Sequence, residues 1–204
     1  VIGAGPVGLA AAAHLIERGI APAIFEAGDG VGATIREWSH VRVFTPWSLN
    51  VDAAAGRLLA ASGWQAPDPD AIPTGGAIVR AYLEPLAALP AMAEALHLGA
   101  RVTSVTRRDL DKMSTRDRAQ APFVIAWTDR DGRRHRSEAR AVIDASGTWR
   151  QPNPLGVDGL GRAADSRPLE RLGPRSREGH DGSCLPRPCR GRHRRRRGHD
   201  DRIV

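Results

Sequence analysis

Apolar and polar positions change period several times along the chain, and each change marks an element. Val1-Ile2 reads as the end of a buried strand. Residues 7–18 (VGLAAAAHLIER) keep an apolar, small-residue face at helical spacing, and residues 21–25 (APAIF) form a short apolar run closed by Glu26. Residues 52–61 (DAAAGRLLAA) predict a second helix, followed by a loop containing three prolines. Thr74 is placed to cap a helix running to about Leu89, with Pro85 predicting a kink or break within it. Residues 100–107 alternate as a strand does. Residues 122–128 and 133–138 predict a hairpin across Asp129–Gly132. Residues 141–145 (AVIDA) predict a short buried strand ending at Ser146-Gly147. This order predicts an α/β domain with a parallel sheet and a three-stranded antiparallel insertion.

The turn between the first strand and the first helix is chemically specific. Gly3-Ala4-Gly5-Pro6-Val7-Gly8 has the spacing G-x-G-x-x-G, and it sits where a strand passes into a helix. In such a turn Gly3 permits the bend, Gly5 lets a pyrophosphate approach the backbone, and Gly8 lets the helix lie close on the strand. Beyond Pro6, which has no N–H, the helix start from Val7 then offers free amides and a positive dipole end to an anion. Glu26 follows Gly8 by 18 residues, near the position of a ribose-binding acid. Its charge would repel a 2′-phosphate, which argues against NADP at this loop. A glycine-rich turn that binds nothing is the plainer alternative; strand, loop, helix, strand and acid all in order outweigh it. The expected fold is therefore Rossmann-like.

A second glycine-rich stretch, Gly28 to Gly32, follows Glu26 and Ala27. It leads into REWSHVRVFTPWSLN, residues 36–50, a long loop after a strand end, where α/β proteins hold ligands. Packing is the favoured reading for Trp38, Phe44 and Trp47 taken singly. Arg36, Thr45 and Ser48 beside them make a cofactor wall a reasonable expectation. The histidines show no metal spacing, and no nucleophile triad is present, so no metal or catalytic side chain is named.

Charge divides the chain. Residues 161–204 contain 13 arginines and 6 acidic residues, so the net charge of +7 resides there. Residues 1–160 carry 17 basic and 17 acidic residues and give no electrostatic reason to expect a nucleic-acid partner. They also lack cysteine, which suits a cytoplasmic location. The opening apolar run has no basic segment before it, and Glu17-Arg18 interrupts it too early for a membrane span. Without an initiator Met, the numbering is expected to begin inside a strand.

The stretch AVIDASGTWRQPNP completes a pattern. It resembles the hydrophobic-hydrophobic-x-Ala-Thr-Gly strand end of the two-dinucleotide-domain FAD/NAD(P)H oxidoreductases. That superfamily includes flavin-containing monooxygenases and pyridine nucleotide–disulfide oxidoreductases. Ser146 stands where threonine is usual, and Pro152 and Pro154 fit. GDGVGATIREW is similar, imperfectly, to the Gly-Gly-x-Trp region of the monooxygenase branch.

The resemblance covers residues 1 to about 160 and implies an FAD-binding domain. FAD would set its pyrophosphate on Gly3, Gly5, Pro6, Val7 and Gly8 and its ribose on Glu26, beside Ala27. The adenine would lie near Val102, and Ala145, Ser146 and Gly147 would lie close to the cofactor. NADPH or NADH would bind a second, inserted domain and pass a hydride to the flavin, which would serve a small-molecule substrate. An NAD-dependent dehydrogenase using the first loop directly is the alternative enzyme reading.

From about Gly161 no structural period remains, and composition predicts a disordered tail rich in Arg, Gly and Pro. Three readings compete: a basic patch attracting nucleic acid, a solvated extension, or a reading-frame slip in a GC-rich gene. The slip is favoured, because the second dinucleotide loop implied after Pro154 is not there. Cys184 and Cys189 have C-x4-C spacing but the wrong position for a flavin-linked redox pair, so they read as incidental. On this division residues 1–160 are an incomplete FAD-binding domain, expected to bind FAD weakly or not at all and to show no turnover.

Overall fold

Short strands set the frame, rich in β-branched residues in Arg101–Arg107 (RVTSVTR) and in β-branched and aromatic residues in Phe123–Thr128 (FVIAWT). The computed structural model describes residues 1–150 apart from residues 112 and 114. They fall within one compact unit, Val1–Pro152. The expected tail, residues 161–204, with Cys184 and Cys189, and the two prolines at 152 and 154 lie outside the described residues.

Among the described residues five strands are formed: β1 Ile24–Glu26, β2 Leu96–Leu98, β3 Arg101–Arg107, β4 Phe123–Thr128 and β5 Arg134–Ala139. The helices are α1 Pro6–Glu17, α2 Ala33–Glu37, α3 Trp47–Asn50, α4 Ala53–Ala61, α5 Gly75–Ile78, α6 Glu84–Ala87 and α7 Pro90–Ala95. A π-helical turn, Val79–Leu83, joins α5 to α6.

β1 pairs in parallel with β2, Phe25 opposite His97. On its other side β1 exchanges bonds with the opening segment: Phe25 N–H donates to Val1 O (2.9 Å) and Gly3 N–H to Phe25 O (2.7 Å). Ile2 is bonded in turn to residues 143–145, its N–H to Ile143 O and its O to the Ala145 N–H, both 2.9 Å. The parallel order is thus β2, β1, residues 1–3, residues 143–145. The second sheet, β3-β4-β5, is antiparallel. Phe25, Ala100 and Ile125 are buried together beneath it, with Val102, Trp127 and Val142 packed against them. The architecture is mixed α/β, with parallel and antiparallel layers as the sequence implies.

Two details depart from the sequence reading. Residues 143–145 form an edge, not a buried strand: their ladder runs to Ile2 alone among the described residues, and Ile143 is 39% exposed. β2 was not foreseen, because Leu-His-Leu is too short to display a period.

The main core lies between α1, α4 and the helical excursion, with Leu9, Ala12, Ile24, Leu59, Tyr82, Leu86 and Met92 fully buried or nearly so. Asp52 caps α4, its carboxylate accepting the N–H groups of Ala54 (2.9 Å) and Ala55 (3.0 Å). Tyr82 Oη accepts the Asp52 N–H at 3.2 Å, and His14 lies 3.2 Å from the same carboxylate, so α1, α4 and the π turn converge on one residue. Trp47 is buried and Trp38 half-buried on this core, but Phe44 is 94% exposed, so packing does not explain it.

Pro85 acts as its position predicts. Proline has no N–H and its ring crowds the carbonyl four residues back. That carbonyl belongs to Ala81, in the π turn, and the Trp64 indole N–H donates to it at 2.9 Å. A loop tryptophan thus replaces the backbone donor that the proline removes. Replacing Trp64 with Phe leaves this carbonyl without that donor and should lower unfolding free energy by about 1–3 kcal/mol. In a Pro85→Ala background the restored N–H can reclaim Ala81 O, so the same substitution should cost less. A double-mutant cycle in urea measures the difference.

Candidate functional site

The glycine turn is built by three close approaches of different kinds. Gly3 has φ +95°, a left-handed backbone, and a Cβ there would lie 2.6 Å from the carbonyl oxygen of Ala145. A Cβ at Gly8 would lie 2.0 Å from the carbonyl oxygen of Gly3. The helix therefore rests directly on the turn, and the turn on the end of the neighbouring strand. Gly5 differs from both: its φ is −81°, open to any residue, and a Cβ there would meet nothing within 4 Å among the described residues. Folding does not require glycine at position 5. The space beside it is a cradle that a side chain would enter.

The start of α1 faces that cradle. Pro6 occupies the first turn, no side chain among the described residues caps the end, and the helical ladder begins with Leu9 N–H to Gly5 O at 3.0 Å. Amides ahead of Leu9 have no acceptor inside the helix and carry the positive end of its dipole. Val7 is 69% exposed on this turn.

Glu26, at the tip of β1, turns toward the loop. One carboxylate oxygen accepts the Ala4 N–H and the other the Gly28 N–H, both at 2.7 Å. Each oxygen has a second lone-pair direction, so the group can still accept from a ligand hydroxyl. The Gly32 N–H donates to Ala4 O at 2.9 Å, tying the second glycine-rich stretch to the first. Ala27, next to Glu26, is exposed.

The strand-end turn lies against Gly3 through Ala145 and Ser146. The Ser146 hydroxyl (2.7 Å) and amide (3.0 Å) both donate to one oxygen of Asp144. These bonds hold the Asp144 carboxyl below the usual carboxylate range and turn the hydroxyl toward its own loop. Gly147 follows at φ +70°.

Gly3, Gly5, Gly8, Glu26, Ala145 and Ser146 are thus brought together around one turn. Arg36 covers Gly30, donates to Val31 O (3.1 Å) and pairs with Glu84 (2.9 Å). Thr45 is bonded to Asn50, whose amide donates to the Thr45 carbonyl at 2.9 Å. Val102 packs into the cluster around Phe25. Sequence reasoning did not single out Ala4, whose N–H and C=O both serve the site. Nor did it find Gly28 and Gly32 as bonding partners, although their glycine-rich stretch was visible.

Residues 1–62 match the NAD(P)-binding Rossmann-like domain family. No curated protein sequence matches the chain. Among solved structures it is similar to bacillithiol disulfide reductase Bdr from Bacillus cereus, at 23% identity and TM-score 0.54, covering 84% of this chain and 43% of that one. It is similar also to the polycyclic ketone monooxygenase of Thermothelomyces thermophila, at 19% identity and TM-score 0.52, over 72% of this chain and 22% of that one. A third is OTEMO in complex with FAD and NADP, at 19% identity and TM-score 0.51, over 77% and 27%. At these identities the likeness establishes the fold. The chain spans less than half the length of each of these proteins. Among the described residues no helix is long and apolar enough to cross a membrane.

The contact at Gly8 yields a stability test. A Gly8→Ala methyl would collide with backbone, which cannot swing aside, and overpacking of this kind costs about 1–3 kcal/mol or more. Gly8→Ala should therefore unfold at lower urea concentration. A midpoint equal to that of the unaltered protein would mean that helix and strand do not meet as described.

Proposed function

We propose that this chain supplies the FAD-binding portion of a flavin-dependent oxidoreductase, NAD(P)H-linked and monooxygenase-like, acting on a small-molecule substrate in the cytoplasm. The observation that carries the reading is the open position at Gly5, flanked by an uncapped helix start and by the Glu26 carboxylate. A glycine that the fold does not need, at the spacing a pyrophosphate needs, is the mark of a ligand rather than of a turn.

The residues present fit the cofactor. In the Gly3–Gly8 turn the Gly3 and Ala4 amides are already bonded and Pro6 has none, so the amides of Gly5, Val7 and Gly8 would hold the pyrophosphate, aided by the α1 dipole. Glu26 would accept from ribose hydroxyls while continuing to hold Ala4 and Gly28. The turn at Ala145–Gly147 would close one side. When bound, the flavin supplies the redox chemistry, taking a hydride from a nicotinamide and passing electrons to an acceptor. The protein's share is to bind and orient it.

NAD at the first loop is the second reading, favoured by the match of residues 1–62 to an NAD(P)-binding family. Ligand-dependent melting separates the two, because a ligand that binds the native state raises stability by about 2.7 kcal/mol at a hundredfold excess over Kd. FAD should raise the melting temperature of the full chain in a concentration-dependent way, and NADH should not. Gly5→Ser should melt like the unaltered protein without ligand, since serine is a favoured helix N-cap. It should lose the FAD response, because its side chain enters the cradle. An upward shift with NADH alone would establish the second reading; an undiminished FAD shift in Gly5→Ser would remove the pyrophosphate from this loop.

A further inference from the structure

The site is bounded by a closed circuit of contacts, and one joint differs in kind from the others. Starting from the turn, Ala4 O accepts from Gly32 N–H. Gly32 is the N-cap of α2, and Glu37 is its last residue. One oxygen of Glu37 accepts the Trp149 indole N–H at 2.8 Å, and the other lies 3.3 Å from an Arg150 guanidinium nitrogen. From Trp149 the chain runs back through Gly147 and Ser146 to Ala145, against Gly3. Next to the turn, the joints on either side are made by backbone atoms. The joint at Glu37 is made of side chains in solvent, with Glu37 47% and Trp149 43% exposed.

The strand-end turn is fixed at its base and free to pivot above it. Ser146 is held by Asp144 through two bonds. Gly147 has φ +70°, and a Cβ there would meet nothing within 4 Å among the described residues. Only Gly147 and Thr148 then separate the fixed base from the two residues that Glu37 holds. Exposed ion pairs are weak and exchange with water readily, so this joint opens more easily than the backbone ones.

We propose that Glu37 is a latch: a positioning residue that holds the turn of residues 146–150 closed beside the dinucleotide cradle and slows departure of the bound dinucleotide. It touches neither cofactor nor substrate. It acts through Trp149 and Arg150, one on each carboxylate oxygen. The proposal rests on the dinucleotide reading above and adds a residue to which no role was assigned.

The test uses the full chain with FAD as the probe, and compares Glu37→Ala with Glu37→Gln. Glutamine keeps an acceptor for the Trp149 indole and loses the charge that attracts Arg150. Without FAD, hydrogen–deuterium exchange of residues 146–150 should rise in Glu37→Ala and stay near the original level in Glu37→Gln. The FAD dissociation rate should rise about three- to fivefold in Glu37→Ala, with smaller change in Glu37→Gln and no change in melting temperature without ligand. Unchanged exchange in Glu37→Ala overturns the latch whatever the cofactor does. Raised exchange with an unaltered FAD dissociation rate shows a turn that does not retain the cofactor, and also overturns it. If the unaltered protein binds no FAD, the FAD reading of this chain fails and the proposal falls with it, a result read before any variant is made.

Discussion

A helix can lie within contact distance of a strand's terminal carbonyl only if neither brings a side chain to the meeting point. Gly8 on the Gly3 carbonyl is that meeting point here. It fixes where α1 begins relative to the parallel sheet, and so where its uncapped amides point. Gly3 makes the matching approach on the other side, against Ala145. Helix, opening strand and return strand are locked through two positions that have no Cβ. The cradle beside Gly5 is what the locking leaves vacant.

The rest of the domain keeps this arrangement dry on one side and supported on the other. Alanine-rich faces of α1 and α4 allow a close core, with Tyr82, Leu83 and Leu86 filling it from the excursion. The antiparallel sheet reaches the parallel one through aromatic contacts. Trp127 lies 5.5 Å from Phe25 and stacks at 4.2 Å on His135, which is 2.8 Å from Asp129 at the hairpin turn. Phe25 immediately precedes Glu26, so packing beneath the second sheet bears on where the acid is held.

Much of this was readable from the sequence because it depends on local rules. Glycine spacing announces a turn with close approaches, Asp129–Gly132 announces a hairpin, and Thr74 announces a helix start, confirmed by its bond from the Ala77 N–H. Pro85 announced an interruption, though not the π turn that absorbs it or the indole that repairs it. What was hidden depends on contacts between distant residues. The pairing of Glu37 with Trp149 spans 112 residues and leaves no trace in local pattern. The exposure of residues 143–145 was equally hidden, since an apolar run looks the same at an edge as in the middle of a sheet.

Glu26 already has both oxygens committed to Ala4 and Gly28. The side chain that would discriminate among nucleotide sugars is therefore also a brace of the surrounding main chain. Nucleotide preference and loop architecture are in this way inherited as a single trait. A basic or neutral replacement at position 26, chosen to welcome a different coenzyme, would at the same stroke release two amides on whose alignment the proposed coenzyme site depends.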